Sequence, residues 1–276
     1  MSDWDYDPET GEFYEAAPPR DNQIDAAKEV LLARFFPDDG ENVYYGRQLE
    51  ILLEEEFFHW ITKKALNELA QSRLIATKAE ATPQFTAHFY WPRRYRYPRR
   101  KVRETLELIA AFSRPQFGDA LGQVGESLVD AGFATIGFRI LSRNVREVDG
   151  KRWRESNHDL DRLVERDGVR YGVEIKNTLG YISTDEFEIK LKMAAYFGVR
   201  PMFIARMMPK TYVHAVWQQG GFCLLLKNQH YPYMSNELMQ AVREKLNFPV
   251  TIVRNLADGT LARFETWHER HLPNVN

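Results

Sequence analysis

The sequence lacks several features that would assign it to particular protein classes. It has one cysteine, Cys223, in the apolar run 222–226, so no intrachain disulfide can form, and we expect an inert buried thiol rather than thiol catalysis. No apolar run approaches the roughly 20 residues of a membrane-spanning helix, and the acidic start lacks the basic and apolar regions of a signal peptide. A membrane partner is therefore not expected, and the predicted location is the cytoplasm.

The overall composition is that of a folded protein. The 276 residues are 44% hydrophobic and 28% charged, which excludes a mainly disordered or fibrous chain. The length permits one large domain or two smaller ones.

Charge is distributed unevenly along the chain. The formal net charge is −2, but residues 1–21 hold seven acids against one arginine, which leaves a mildly basic remainder. Such a segment, with two prolines and little periodicity, is typical of a solvated tail. We predict that 1–21 is an acidic disordered tail.

A basic segment, defined as 93–103, has the opposite character. It contains no acid and seven cations: Arg93, Arg94, Arg96, Arg99, Arg100, Lys101 and Arg103. Cations neutralise phosphates, and the nearby rings of Trp91, Tyr95 and Tyr97 offer stacking surfaces, so the segment suits nucleic acid. The alternative is a solvated linker, and we assign 93–115 as a basic linker or helix.

Residues 22–92 have the pattern of a small α+β module. Apolar spacing predicts helices over 22–36, 47–55 and 61–74, followed by strands over 75–79 and 85–90. This order resembles a winged helix-turn-helix, whose third helix would enter the major groove of DNA. That helix would present Thr62, Lys63, Lys64, Asn67, Gln71 and Arg73. Because Glu54–Glu56 fit a groove poorly, a protein-contact module remains the alternative.

Two alternating apolar runs flank Asp167-Gly168, which is a strong two-residue hairpin signal. A two-residue turn would place Asp161 opposite Glu174 and Asp159 opposite Lys176 on one face. The other face would receive Leu160, Val164, Tyr171, Val173 and Ile175. Burial of this apolar set favours the register.

Opposed carboxylates in a hairpin are destabilising unless something compensates them. A divalent cation would do so, because Mg²⁺ binds hard oxygen ligands such as one or two carboxylates, water and substrate phosphate. Lys176, on the same face, would hold a phosphate oxygen or stabilise an attacking hydroxide. These groups are suited to phosphodiester hydrolysis.

Asp161 together with Glu174-Ile175-Lys176 resembles the signature of the PD-(D/E)xK nuclease superfamily, which includes restriction endonucleases and Holliday junction resolvases. Leu160 stands where the family's proline would be. The resemblance implies metal ligation by Asp161 and Glu174, a catalytic role for Lys176, and assistance from an acid on the preceding helix, for which Glu126 is the candidate. Three roles remain open for Asp159: an auxiliary metal ligand, a partner of Lys176, or the motif aspartate itself.

The resemblance also implies an α/β fold: an α-β-β-β-α-β core with a mixed central sheet, within a nuclease-like domain over 116–276. Around the hairpin, the pattern predicts a helix ending near Gly132, a strand over 134–141, helices over 184–197 and 212–218, and strands over 201–205 and 222–226. Lys190 or Lys192 would approach phosphate, although a solvated lysine is the alternative. Glycines 118, 122 and 125 indicate close packing.

These features together predict a Mg²⁺- or Mn²⁺-dependent endonuclease that hydrolyses DNA, in restriction, repair or defence. One alternative is a non-catalytic winged-helix DNA-binding regulator. Another is an RNA-cleaving nuclease, because RNA hydrolysis requires the same groups. Since many members of the family pair two active sites, a homodimer is also an expectation.

Overall fold

The computed structural model describes residues 4–6, 13–15, 23–82, 85–231 and 236–272, in two units. The small unit comprises 19–118 and 234–250, and the sheet unit comprises 1–18, 119–233 and 251–276. Nowhere in these described ranges is there a helix of the length and apolarity needed to cross a membrane.

Much of the acidic segment 1–21 lies outside the described residues. Two short strands within it, β1 (Trp4–Tyr6) and β2 (Phe13–Glu15), pair antiparallel. This pairing differs from the prediction of a tail without structure, and the aromatic residues of both strands are of the type that favours β structure.

The small unit forms because amphipathic helices cover one face of a three-stranded sheet. Its elements in chain order are α1 (Gln23–Arg34), β3 (Tyr44–Tyr45), α2 (Gly46–Leu52), α3 (His59–Gln71), β4 (Ile75–Ala81), β5 (Thr86–Pro92) and α4 (Arg99–Phe112). The antiparallel sheet has the order β3-β5-β4. Leu31, Leu49, Leu66 and Leu69 lie in its core. The three helices and two strands predicted from apolar spacing are all present.

The sheet unit contains most of the remaining elements. They are α5 (Pro115–Thr135), β6 (Arg139–Val145), β7 (Glu147–Val148), β8 (Lys151–Arg152), β9 (Leu160–Arg166), β10 (Val169–Lys176), α6 (Thr184–Phe197), β11 (Arg200–Ala205), α7 (Lys210–Gln218), β12 (Phe222–Leu225), β13 (Gln229–Tyr231), α8 (Asn236–Leu246), β14 (Val250–Ile252) and α9 (Asp258–Arg270). Of these, α8 belongs to the small unit, where it packs on α4, and the ring of Phe248 lies 6.0 Å from that of Phe112. The chain therefore returns to the small unit within the range that the sequence assigned to one domain.

A mixed five-stranded sheet is the centre of the sheet unit. Its order is β12-β11-β10-β9-β6, with β10, β11 and β12 parallel and β9 antiparallel to both of its neighbours. Residues of α5 and α9 pack on one face, around Phe133, Tyr171 and Phe264. Residues of α6 and α7 pack on the other, around Met193, Phe203 and Val216. The fold is thus α/β, with helices on both faces of the sheet.

The end of α5 corrects one sequence prediction. Gly132 does not end the helix, which continues to Thr135, and the predicted strand over 134–141 begins instead at Arg139. Gly137 has the left-handed conformation (φ 79°), and the Phe138 N–H donates to the Phe133 carbonyl, as in a helix C-cap. A side chain at Gly132 would contact Leu261, so that glycine serves close packing.

Candidate active site

The β9–β10 hairpin has the predicted turn and register. Asp167 and Gly168 both have positive φ (52° and 73°), which is the conformation of a type I′ turn. Pairing runs from Val169 opposite Arg166 to Val173 opposite Arg162. The sequence therefore identified the strands and their alignment correctly from the turn as far as the pair of Arg162 and Val173.

At Asp161 the regular pairing gives way to a side-chain hydrogen bond. The Ile175 N–H donates to Asp161 Oδ2 over 2.6 Å, so the carboxylate takes the place of a backbone acceptor. The hydrogen bond holds the Asp161 carboxylate beside Ile175, which directly follows Glu174. Burial raises the pKa of Asp161, and the hydrogen bond from Ile175 opposes that increase.

The end of regular pairing also overturns the predicted position of Leu160. Its side chain packs with Val145 and Met193 on the α6 side, whereas Val164 and Tyr171 pack on the other face of the sheet. Strict alternation does not hold here, because the pairing is interrupted one residue later.

Glu174 is the most deeply buried acid of the site, with 2% of its surface exposed. Lys190 Nζ lies 2.5 Å from its Oε2, and Lys176 Nζ lies 3.2 Å from its Oε1. Burial, followed by the negative charge of Asp161, raises the pKa of Glu174 to about 7 despite both lysines. Glu174 is therefore a carboxyl group that changes ionisation near neutral pH.

Lys176 lies between two acids and keeps partial access to solvent. Its Nζ is 2.7 Å from Glu186 Oε1, and 29% of its side chain is exposed. Burial lowers the pKa of Lys176, but Glu174 and Glu186 more than offset this effect, and the pKa is raised. Lys176 is thus a positive charge at the boundary between the site and solvent.

Lys190 is a buried member of the site, and the prediction of a solvated lysine is wrong for it. Its residue exposure is 4%, and Nζ donates to the backbone carbonyl of Asp159 as well as contacting Glu174. The residue projects from α6, which packs against the sheet, so its burial depends on tertiary packing. Lys192, on the same helix, is exposed.

Asp159 does not face Lys176 in the way that the predicted register required. Its carboxylate lies 4.0 Å from Lys190 Nζ, and 38% of its side chain is exposed. The regular pairing of β9 with β10 ends at Arg162 and Val173, so the extrapolation to position 159 fails.

Glu126 lies on α5, as predicted, but an arginine that sequence reasoning missed already binds it. Arg162 Nη2 donates to Glu126 Oε2 (2.7 Å), and Arg162 Nε donates to Asp130 Oδ1 (2.8 Å). Arg162 is 3% exposed and connects β9 to α5. The charge of Glu126 contributes to raising the pKa of Asp161, so the two acids are electrostatic neighbours. The available signal was strand alternation, which places Arg162 on the same face as the apolar Val164.

The donor set fits a site for one divalent cation held by two carboxylates. Asp159, Asp161, Glu174 and Glu186 supply four negative charges against two from Lys176 and Lys190, a net charge of −2 when all are ionised. Glu174 Oε2 is fully buried, and its contact is the ion pair with Lys190 rather than a hydrogen bond of good geometry. No group of three or more His, Cys, Asp or Glu side chains suited to a metal occurs in the ranges described. Two carboxylates with water and phosphate are nevertheless a usual Mg²⁺ shell.

Asn177, the residue after β10, anchors the end of this strand through hydrogen bonds of its side chain. Its Nδ2 donates to the carbonyls of Leu121 (2.8 Å) and His230 (2.6 Å), and its Oδ1 accepts from the His230 N–H. A Cβ at Gly125 would lie 2.7 Å from the Asn177 Cβ, so α5 needs a glycine there. Close packing is confirmed for Gly125, but a Cβ at Gly122 would meet nothing within 4 Å, and that prediction is wrong.

The predicted DNA-contacting helix presents most of the expected side chains. Lys63, Lys64, Asn67 and Gln71 of α3 are exposed. Thr62 is fully buried, so its predicted contact with a base or phosphate is wrong. The position follows from helical spacing, because Thr62 lies on the face that carries Ala65, Leu66 and Leu69 into the core.

The basic segment is a turn that leads into a helix rather than a free linker. Tyr97 is 80% exposed, whereas Trp91 is 8% exposed and offers no stacking surface. Lys101 Nζ donates to the Glu41 carbonyl and lies 5.2 Å from the centre of the Tyr95 ring.

The arginines of the basic segment are mostly exposed. Arg93 donates to the Arg73 carbonyl, and Arg94 pairs loosely with Asp38. Arg96 is exposed in the turn. The α4 arginines, defined as Arg99, Arg100 and Arg103, project from the first turns of α4. The ion pairs of Arg100 with Glu104 and of Arg103 with Glu107 are long (3.6 and 3.9 Å) and exposed, so they would compete weakly with phosphate.

The chain was also compared with known proteins. No protein-family model matches it, and no curated protein is similar enough to match.

Proposed function

We propose that this protein is a metal-dependent endonuclease that hydrolyses DNA phosphodiester bonds. The single observation that carries the proposal is the convergence at the end of β9 and β10: the Ile175 N–H binds Asp161, and Glu174 lies between Lys176 and Lys190. We further propose a restriction-endonuclease-like core of the PD-(D/E)xK type, with an N-terminal winged-helix-like domain. The order α5, β6, β9, β10, α6, β11 supports the α-β-β-β-α-β arrangement.

Asp161 and Glu174 would hold the Mg²⁺ or Mn²⁺ ion. When bound, the ion supplies Lewis-acid polarisation of the scissile phosphate and lowers the pKa of water. The contact of Lys190 with the Glu174 carboxylate lowers the pKa of Glu174 and so favours the ionised form that a cation requires. Glu126 would assist only from the position in which Arg162 holds it.

Lys176 would act on the phosphate or the attacking water. An ammonium group has three donors, and the two carboxylates described above, of Glu174 and Glu186, account for two of them. A third donor on a side chain that is 29% exposed suits a phosphate oxygen or a water molecule. Fixed positive charge aimed at developing negative charge accelerates such reactions by about 10²–10³-fold per group.

The test is cleavage of supercoiled plasmid, linear duplex, branched DNA and RNA by the full chain, with Mg²⁺, Mn²⁺ or a chelator. We expect metal-dependent cutting of DNA. Glu174→Gln should abolish it and Lys176→Met should reduce it about 10²–10³-fold. The control Lys192→Met removes an exposed lysine from the neighbouring helix α6 and should cut normally. Cutting by Glu174→Gln at the wild-type rate would refute the site, and cutting of RNA alone would reassign the substrate.

A non-catalytic DNA-binding protein is the second candidate. It is favoured by the internal ion pairs of Glu174, which partly satisfy that acid without a metal. Retention of DNA binding with no cleavage of any substrate under any metal condition would support this candidate.

A further inference from the structure

The exposed face of α3 carries an aromatic ring as well as cations. Trp60, Lys64, Asn67 and Gln71 fall within about 60° of one line along the helix, with Lys63 next to them, because residues three and four apart share a helix face. All five side chains are exposed. The apolar positions of α3 point the other way, into the core.

The exposure of Trp60 is unusual for its size. It is 60% exposed, and only Tyr97 of the basic segment exceeds it among the exposed large hydrophobic side chains of the described ranges. Large aromatic side chains contribute most to stability when buried, so folding alone does not account for a tryptophan on this face.

The surroundings of Trp60 remain favourable for a polyanion. The one acid on the adjoining part of α3, Glu68, lies 2.5 Å from Lys28 Nζ. In the loop before α3, Glu54 contacts His59, and Glu56 pairs with Arg34. The Glu56–Arg34 pair offsets negative charge near the helix, although Glu55 is exposed. Neither Lys63 nor Lys64 forms an ion pair within 4.0 Å in the ranges described, and Glu50 interacts with Lys63 only electrostatically.

The exposed indole ring of Trp60 favours nucleic acid with unpaired bases. In an intact duplex the bases stack on each other and expose only their edges in the grooves, so the faces are inaccessible to an indole. An unpaired base exposes its face, and stacking on aromatic side chains is the usual means of holding it. Lysines one turn away would then contact the flanking phosphates.

We propose that the exposed face of α3 binds an unpaired base, which stacks on Trp60 while Lys63 and Lys64 contact the adjoining phosphates. The inference rests on the proposed function and narrows its substrate class to DNA with unpaired bases beside a duplex, such as forked or branched DNA. Tyr97, flanked by Arg96 and Arg99, is a second ring of the same kind in the small unit.

The test is equilibrium binding of the full chain, without metal so that no cutting occurs, to a forked duplex and to a blunt duplex of the same sequence. Trp60→Ala should weaken binding to the fork about five- to 150-fold and leave the blunt duplex nearly unchanged. The salt dependence of DNA binding by Trp60→Ala should match that of the wild type, since no phosphate contact is lost. Trp60→Phe retains a ring and should recover most of the affinity.

Two controls separate stacking from charge and from damage to the fold. Lys63→Gln with Lys64→Gln should weaken binding to both DNAs and reduce the salt slope by about two. Trp217→Ala removes a tryptophan that is 43% exposed in the sheet unit and should change neither affinity. A fork with abasic arms should bind the wild type as weakly as Trp60→Ala binds the normal fork, and the two changes should not add.

Unchanged binding of the fork by Trp60→Ala would overturn the inference and leave this face to a protein partner. An equal loss on fork and blunt duplex would also overturn it. Fork binding that depends on Trp60, without cleavage by the wild type, would support the stacking site while refuting the nuclease. No binding of either DNA by the wild type would refute both.

Discussion

Removal of Lys190 gives a stability change whose pH dependence follows from the structure. In the wild type the pKa of Glu174 is about 7, against 4.5 for an ordinary glutamate. Because the pKa of Glu174 is higher in the folded state, the folded protein holds this proton more tightly than the unfolded chain does. The resulting contribution to the free energy of unfolding is about 3 kcal/mol; it is present below pH 4.5 and is lost as the pH rises to 7. Above pH 7 the group is ionised in both states and contributes no further slope.

Lys190→Met removes the buried cation that contacts Glu174, so the pKa of Glu174 should rise further. The variant then continues to lose stability above pH 7, by about 1.4 kcal/mol per pH unit up to its new pKa, relative to the wild type. Removing one partner of a buried pair costs about 3–5 kcal/mol at most. The difference should therefore grow from pH 7 and reach a plateau.

Urea denaturation of the wild type, Lys190→Met and Lys190→Met with Glu174→Gln at pH 6, 7, 8 and 9 measures this effect. The double variant has no ionisable group at position 174, so the slope contributed by Glu174 should disappear. Lys192→Met is the matched control and should follow the wild type at every pH. A constant difference between Lys190→Met and the wild type from pH 6 to 9 would refute the assigned coupling.

Three further predictions concern parts of the structure around the site. Arg162→Met should lower the free energy of unfolding by about 1–3 kcal/mol, because Glu126 and Asp130 lose a buried hydrogen-bonding partner but keep partial access to solvent; a loss below about 0.5 kcal/mol in urea denaturation would contradict this. Gly125→Ala should destabilise the protein by about 1–3 kcal/mol through collision with Asn177, whereas Gly122→Ala should be neutral or stabilising, and calorimetry showing equal shifts for both would refute the packing argument. Replacing the three α4 arginines with glutamine should weaken DNA binding and reduce its salt slope by nearly three, while an unchanged slope would exclude them from the interface.

Local rules predicted the hairpin because the information lies in adjacent residues. Asp167-Gly168 specifies the turn, and the alternation on either side specifies the register, which brings Asp161 near Glu174. The strand and helix order after the hairpin was likewise readable from apolar periodicity. The mixed central sheet follows from a tight hairpin that is succeeded by parallel strands with helical connections.

The buried charges could not be predicted in the same way. Lys190 and Arg162 become interior only because α6 and α5 pack on opposite faces of the sheet, and their sequence neighbours do not record this approach. Leu160 departs from alternation because Asp161 replaces a backbone acceptor with its side chain. The proposed metal and catalytic roles stay predictions that only solution experiments test.

The most direct measurement of the central claim is Mn²⁺ binding to the full chain by isothermal titration calorimetry. The wild type should bind Mn²⁺ at a site that Asp161→Asn and Glu174→Gln each abolish. Asp130→Asn, which changes an acid held by Arg162 on α5, should retain that binding. Equal Mn²⁺ affinity in the wild type and in Glu174→Gln would contradict the account.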